Sequence, residues 1–149
     1  MVSKEEILVY CVNSVEQRIK EVTFAIKDAD DALANDTKSS AGDKYETSRE
    51  MVQQDINRYQ KQLVIANNDL DVLKKIDLNY KSQRVALGSL VQTDLGIYFI
   101  SISIGLAKLD TQNVFVISPQ SPIGQILIGK TIGDKIIFNA KTQVILDIL

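Results

Sequence analysis

The sequence predicts an α+β chain: a long antiparallel helical hairpin packed as a coiled coil, followed by a small β-rich domain. Two stretches repeat apolar residues at alternating steps of four and three. A polar, glycine-containing break separates them. After residue 85 the pattern changes to short β-branched runs punctuated by turn residues. On these grounds the hairpin is expected over 1–78, with its tip near 35–44, and the β-rich domain over 79–149. The hairpin's ends would lie on that domain and its tip would project away.

The first helix is expected over Lys4–Leu33, a stretch with no proline or glycine. Leu8, Val12, Val15, Ile19, Val22, Ile26, Ala29 and Leu33 form its seam, because a repeat averaging 3.5 residues keeps one stripe on a partner helix. Ser3 with Glu6 has the spacing of a capping box. The run NDTKSSAGD from Asn35 to Asp43 breaks the pattern with residues whose side chains favour turns. A second seam follows: Tyr45, Arg49, Val52, Ile56, Tyr59, Leu63, Ala66, Leu70 and Leu73. Asp43 with Glu46 can cap its start. Two such helices on a short turn pack antiparallel. The expected levels set Ile26 by Val52, Ile19 by Tyr59, Val15 by Leu63 and Leu8 by Leu70, in an arm of about 45 Å. The alternative, a plain hairpin inside a bundle, fits less well, since so narrow a stripe buries one partner only.

Strands are expected at Val85–Val91, Ile97–Ile104, Val114–Ile117, Lys135–Phe138 and Thr142–Ile148. Ile97, Phe99 and Ser101 alternate with Tyr98, Ile100 and Ile102, the pattern of a strand covered on both faces. A short helix at Ile123–Ile128 would start at Ser121 as cap with Pro122 in the first turn, and end at Gly129. Gly133–Asp134 then turns the chain into the next strand. The 65 or so residues of this half are few for independent stability. The helix roots near Leu73–Leu78 are therefore expected to pack on it.

Composition excludes several chemistries. The chain has 149 residues, 45% of them hydrophobic, and a formal charge of -2. A basic face for nucleic acid is not indicated. There is no histidine and a single cysteine, Cys11. Histidine-based triads, Cys/His zinc sites and an internal disulfide are therefore ruled out. Any metal would need carboxylates, which points to magnesium or calcium. The start MVSKEEILVYCVNS does not read as a signal peptide. The apolar stretch Gly96–Leu109 is too short and too interrupted to span a bilayer. A cytoplasmic protein without membrane contact is expected.

The segment SPIGQILIGKTIGDKIIF, Ser121–Phe138, resembles the carboxy-terminal signature of the bacterial Gre transcript-cleavage factors. The matching positions are Ser121, Pro122, Ile123, Gly124, Leu127, Gly129, Lys130, Gly133 and Asp134. VALGSLVQTD, Val85–Asp94, is similar to the first strand of the same domain, and the hairpin agrees in length and in the polarity of its tip. The resemblance implies an FKBP-like small domain that docks on bacterial RNA polymerase. It also implies a coiled coil inserted through the secondary channel, with nucleic acid met only inside that complex. It implies no cofactor, and no catalysis beyond an accessory role in the polymerase's own transcript cleavage. Ser121, Pro122, Ile123, Gly124, Lys130, Gly133 and Asp134 become the expected polymerase-binding positions.

Acids at the tip of such factors assist a polymerase-bound magnesium, because carboxylates are hard oxygen ligands that can orient its water. Asp36, Asp43 and Glu46 are the candidates here, with Asp30 and Asp31 nearby; the bland alternative is that they solvate an exposed end and cap a helix. When TKSSAGDKYETSRE is set against the family's tip motif without gaps, Tyr45 and Arg49–Glu50 match. The two catalytic acids fall on Lys38 and Ala41. A lysine beside magnesium opposes its charge, so transcript cleavage is expected to be absent or altered.

Other readings carry less. GQILIGKT satisfies the P-loop expression (Gly124, four residues, Gly129, Lys130, Thr131), but Ile126, Leu127 and Ile128 suit a buried turn, and the parallel βαβ frame is missing. Cys11 and Tyr59 read as packing. Arg58, Lys61 and Lys74–Lys75 read as solvated faces. A coiled-coil scaffold or adaptor without a transcription role is the main alternative function. An FKBP-type prolyl isomerase is disfavoured, because Tyr98, Phe99, Phe115 and Phe138 are the only aromatics of the second half and suggest no aromatic-lined pocket.

Overall fold

The computed structural model describes residues 2–35 and 43–149. Its contacts divide the chain into two compact units, Asn13–Leu70 and Met1–Val12 with Asp71–Leu149. The element order is a packed two-helix hairpin followed by a mixed β-sheet domain, as the periodicity predicts.

Helix α1 spans Lys4–Asn35 and helix α2 spans Asp43–Lys74. The capping box at the start of α1 is formed: Ser3 Oγ accepts from the Glu6 N–H at 3.1 Å, and Glu6 Oε2 accepts from the Ser3 N–H at 3.3 Å. Within Asn13–Leu70 the seam residues Val15, Val22, Ile56 and Ala66 are buried. Among the described residues two side-chain bonds cross the hairpin. Arg18 Nη1 donates to Asp69 Oδ2 at 2.9 Å, and Arg49 Nη1 donates to the Leu33 carbonyl at 3.1 Å. The numbers rise on one helix as they fall on the other, so the pair is antiparallel.

The levels differ from those expected. On the expected pairing Arg18 sits level with residue 60, which is about 13 Å of helical rise from Asp69. Two side chains do not cover that rise and the roughly 8–10 Å between helix axes together. At the Arg18 level α1 therefore meets a later α2 residue than the expected pairing gives. The Leu33 carbonyl, expected level with residue 45, accepts from Arg49, which is displaced in the same direction. Heptad seams specify a stripe and leave its axial register to whichever side chains interlock.

In the second unit six strands form one mixed sheet in the order β3-β4-β2-β1-β6-β5. They are β1 Leu90–Thr93, β2 Ile97–Ile100, β3 Gly105–Lys108, β4 Asn113–Ile117, β5 Lys135–Phe138 and β6 Lys141–Ile148, with helix α3, Pro122–Leu127, between β4 and β5. Strands β2 and β4 run parallel; the other neighbours are antiparallel.

Strand β2 is buried at all of its positions, as the double alternation predicts. Tyr98 and Ile100 share a core with Val91, Ile123, Leu127, Ile136 and Ile145. On the opposite face Leu90, Phe99 and Val116 stand in register, all buried. Cys11 of α1 meets Ser101 on that side.

Two strand expectations are corrected. Val85–Leu87 is not a strand, although the Val85 N–H and C=O bond Lys130 and Gly129 at 2.8 Å each. The run Ile97–Ile104 stops at Ile100, and the chain bends so that the Ser101 N–H reaches the Ile117 carbonyl at 2.7 Å. Gly105, at φ 93, then starts β3, an edge strand that the apolar run concealed. Among the described residues no helix is long and apolar enough to cross a membrane.

Candidate functional site

The signature segment is a rigid cap–helix–turn. Ser121 is the N-cap of α3, accepting from the Gly124 N–H at 3.1 Å and donating to the Ser118 carbonyl at 2.7 Å. Pro122 occupies the first helical position, where its missing N–H costs nothing. Ile123 and Leu127 turn inward to the core. Gly124 is there because of close approach. A Cβ on it would run into the Ser118 carbonyl oxygen and lie 2.8 Å from Ser121 Oγ.

Beyond the helix, Gly129 and Gly133 take φ 82 and 91, the left-handed region that glycine enters freely. Asp134 Oδ2 accepts from the Thr131 N–H at 2.8 Å and from the Thr131 hydroxyl at 3.3 Å. That backbone bond holds the Asp134 carboxyl below the usual carboxylate range, with Lys130 and Arg84 adding in the same direction. The Gly133 N–H and the Asp134 carbonyl both bond Ile145, which stitches the turn to β6.

The side chains of Ser121, Ile123 and Asp134 and the bare backbone of Gly124 and Gly133 are thus engaged in building the segment. Pro122 is exposed and Lys130 half-buried. The outward side of the segment is an apolar shelf, where Leu87 and Ile128 are 40% and 39% exposed. Arg84, Pro119 and Gln125 border it. The P-loop expression is absorbed by the same geometry: Gln125–Leu127 belong to α3, with Leu127 fully buried, while Ile128, expected in a buried turn, is its exposed C-cap.

The tip candidates are less informative. Asp36 lies outside the described residues, as do Lys38 and Ala41. Asp43 is the first residue of α2, and its side chain lies outside the description as well. Glu46 is exposed in the first turn of that helix, and Asp30 and Asp31 are exposed near the end of α1. Among the described residues no three acids, cysteines or histidines gather as a metal site. Cys11 is fully buried, and burial pushes its thiol up to about 11, against the opposing effect of the neighbouring Ser101 hydroxyl.

The sequence reading missed one hollow. Tyr98, Phe115 and Phe138 come from three separate strands and converge with Ile117, Ile123 and Leu95 around a cavity of about 410 Å³. Tyr98 and Phe115 stack with ring centres 5.5 Å apart. Asn139, Lys141 and Gln143 complete it. The only sequence-level signal was the placement of these aromatics on one strand face each, and their meeting depends on the parallel pairing of β2 with β4.

No protein-family model and no curated protein matches the chain. Among solved structures it is similar to one described as the structure of the transcription factor Gfh1. The identity is 20%, the match covers 93% of this chain and 92% of that one, and the TM-score is 0.35. A likeness of that strength does not bear on function.

Proposed function

We propose that the chain is an RNA polymerase-binding elongation regulator that acts through the secondary channel. Residues 79–149 would be an FKBP-like docking domain, and 1–78 a coiled-coil arm with its tip near 35–44. The observation that carries the reading is the Ser121–Asp134 segment. Its resemblance to the Gre signature is matched by a structural reason for each constrained residue except Lys130, and it borders an exposed apolar shelf. The signature residues shape that shelf, and Leu87 and Ile128 with Pro122 and Lys130 supply contact with bacterial polymerase. Exposed apolar groups rimmed by polar ones are the usual core of such a docking surface.

Transcript cleavage is weak or missing on this reading. Lys38 and Ala41 stand where the resemblance places acids, and an error of about 1 Å at a metal site already costs on the order of 100-fold in rate. Asp36, Asp43 and Glu46 are the side chains left to assist a polymerase-bound magnesium.

Titration of the full-length protein onto immobilised bacterial core polymerase tests the proposal. Saturable binding that falls at least about tenfold in the folded variant I128E is expected. Backtracked elongation complexes should release little 3′ RNA above the polymerase's own rate. Absence of saturable binding by the folded protein would reject the function. Rapid cleavage lost in D36A or D43A would instead reveal a relocated acidic site.

One observation favours the adaptor reading. Phe24 is 70% exposed and Met51 62% exposed on the hairpin, with Val64 and Ile65 exposed further along α2. A hairpin that binds another coiled coil would bury them. Retained polymerase binding in F24S/M51S would separate the two functions.

A further inference from the structure

We infer that the pocket between the start of α1 and residues 75–89 binds a phosphate-type dianion, held by the ammonium groups of Lys4 and Lys75 and the hydroxyls of Ser82 and Ser89. The inference goes beyond the polymerase reading and does not rest on it.

The pocket lies within one compact unit and has a volume of about 290 Å³. Its polar side chains are Lys4, Lys75, Asp77, Tyr80, Ser82 and Ser89, and the rest of the wall is aliphatic or bare backbone. Donors prevail among them. Lys4 Nζ donates to the Tyr80 carbonyl at 3.3 Å, which leaves two of its three protons. Neither Lys4 nor Lys75 makes an ion pair with a described residue. Ser89 is only 5% exposed, and its Oγ accepts the Ala86 N–H at 3.0 Å. Ser82 Oγ accepts the Arg84 N–H at 3.2 Å. Among the described residues neither hydroxyl proton reaches an acceptor, and a buried donor left so is costly. The Ser89 carbonyl cannot serve, because it accepts the Ile100 N–H at 3.0 Å.

Two features oppose an anion, and both are outweighed. The negative end of α2 is close by, but its Val72 and Leu73 carbonyls already accept the Lys75 and Ile76 N–H groups at 3.2 Å each. Asp77 brings a carboxylate, of which Oδ1 accepts the Asn79 N–H at 2.9 Å. Burial pushes the Lys4 ammonium below the usual lysine range; Asp77 opposes that shift and Lys81 adds to it. Asp77 therefore does not satisfy Lys4. The ammonium groups of Lys4, Lys75 and Lys81 stand against this one carboxylate, which leaves a balance of two positive charges. A phosphoryl group carries about −1.5 to −2 at neutral pH and offers three acceptor oxygens. It matches both the charge and the donor set, whereas a carboxylate brings about half the charge and two oxygens. The volume lies just under the roughly 300–1,000 Å³ of drug-sized sites, which suits so small an anion. Tyr80, 61% exposed, offers its ring to whatever group carries the phosphoryl.

The test uses isotope-labelled full-length protein titrated with inorganic phosphate at constant ionic strength and followed by NMR. Saturable shifts are expected at the Ser89 N–H and at the Lys4 and Lys75 side chains, with a dissociation constant on the order of 1 mM for so small a ligand. Acetate should bind at least about tenfold more weakly. The pKa of Lys4 should rise in phosphate, because a bound anion favours the charged ammonium. K4M and K75M should each weaken binding at least about tenfold; neither side chain is buried, so both variants stay folded. K135M, on exposed strand β5 and outside the pocket, should leave binding unchanged. D77N should tighten it, since the variant removes the repelling charge and keeps an oxygen for the Asn79 N–H. Phenyl phosphate separates two sources of the anion. A gain over inorganic phosphate that Y80A abolishes identifies the phosphoryl end of a larger molecule, and equal binding identifies the free ion. No saturable shifts, equal binding of acetate, weaker binding by D77N, or losses in K4M and K75M no greater than in K135M would each overturn the inference.

Discussion

Replacing Gly124 by alanine isolates the role of close packing in the signature segment. Gly124 has no positive φ, so backbone freedom does not explain it. A Cβ at this position would collide with the Ser118 carbonyl oxygen and lie 2.8 Å from Ser121 Oγ and 3.1 Å from Pro119 Cα. Two of those neighbours are backbone atoms and cannot rotate away. The Ser118 carbonyl also receives the Ser121 N–H and hydroxyl, so moving it disturbs the helix cap. Overpacking against a fixed wall costs about 1–3 kcal/mol, and loss of a serine cap about 1 kcal/mol. G124A should therefore lose about 3 kcal/mol. At about 2–4 °C per kcal/mol for a chain of this size, the midpoint falls by roughly 6–12 °C. G129A is the control. Its Cβ meets nothing within 4 Å, and only the φ of 82 opposes it, at about 1–2 kcal/mol. Urea unfolding followed by circular dichroism and tyrosine emission measures both. A G124A loss within about 1 kcal/mol, or a larger loss in G129A than in G124A, would refute the packing argument.

Two further outcomes follow from local geometry. The β5–β6 hairpin turns through Asn139 and Ala140 at φ 52 and 62, the two-residue turn for which Asn-Gly is best suited. A140G should stabilise the protein by about 1 kcal/mol in the same unfolding assay, and a loss of stability would show that this strain is absent. The folded-state pKa of Asp134 lies below its unfolded value, held there mainly by the Thr131 N–H. Its contribution is complete above the ordinary aspartate range and is lost as pH falls through the lower folded pKa. Wild type should therefore lose stability relative to D134N across that window, and parallel pH profiles of the two would overturn the assignment.

What the sequence by itself determined is what depends on near neighbours along the chain. Helix periodicity, the Ser3–Glu6 capping box and the Ser121–Pro122 start of α3 arise within one or two turns, and all appear where the residues place them. The double alternation around Tyr98 likewise announced a strand buried on both faces. Tertiary structure decided the rest. Gly105 opens an edge strand only because β4 is beside it to pair with, and β2 runs parallel to β4 through a pairing that no local pattern encodes. The seams named the stripe between α1 and α2, while the Arg18–Asp69 pair shows where along the axis it locks. The hollow is the clearest case. Tyr98, Phe115, Phe138 and Gln143 are dispersed over 46 positions and share no spacing, and their meeting depends on the strand order. The physical reason is the range of the forces. Caps and helical periodicity reward contacts three or four residues apart, whereas strand order and register are selected by burial across the whole core.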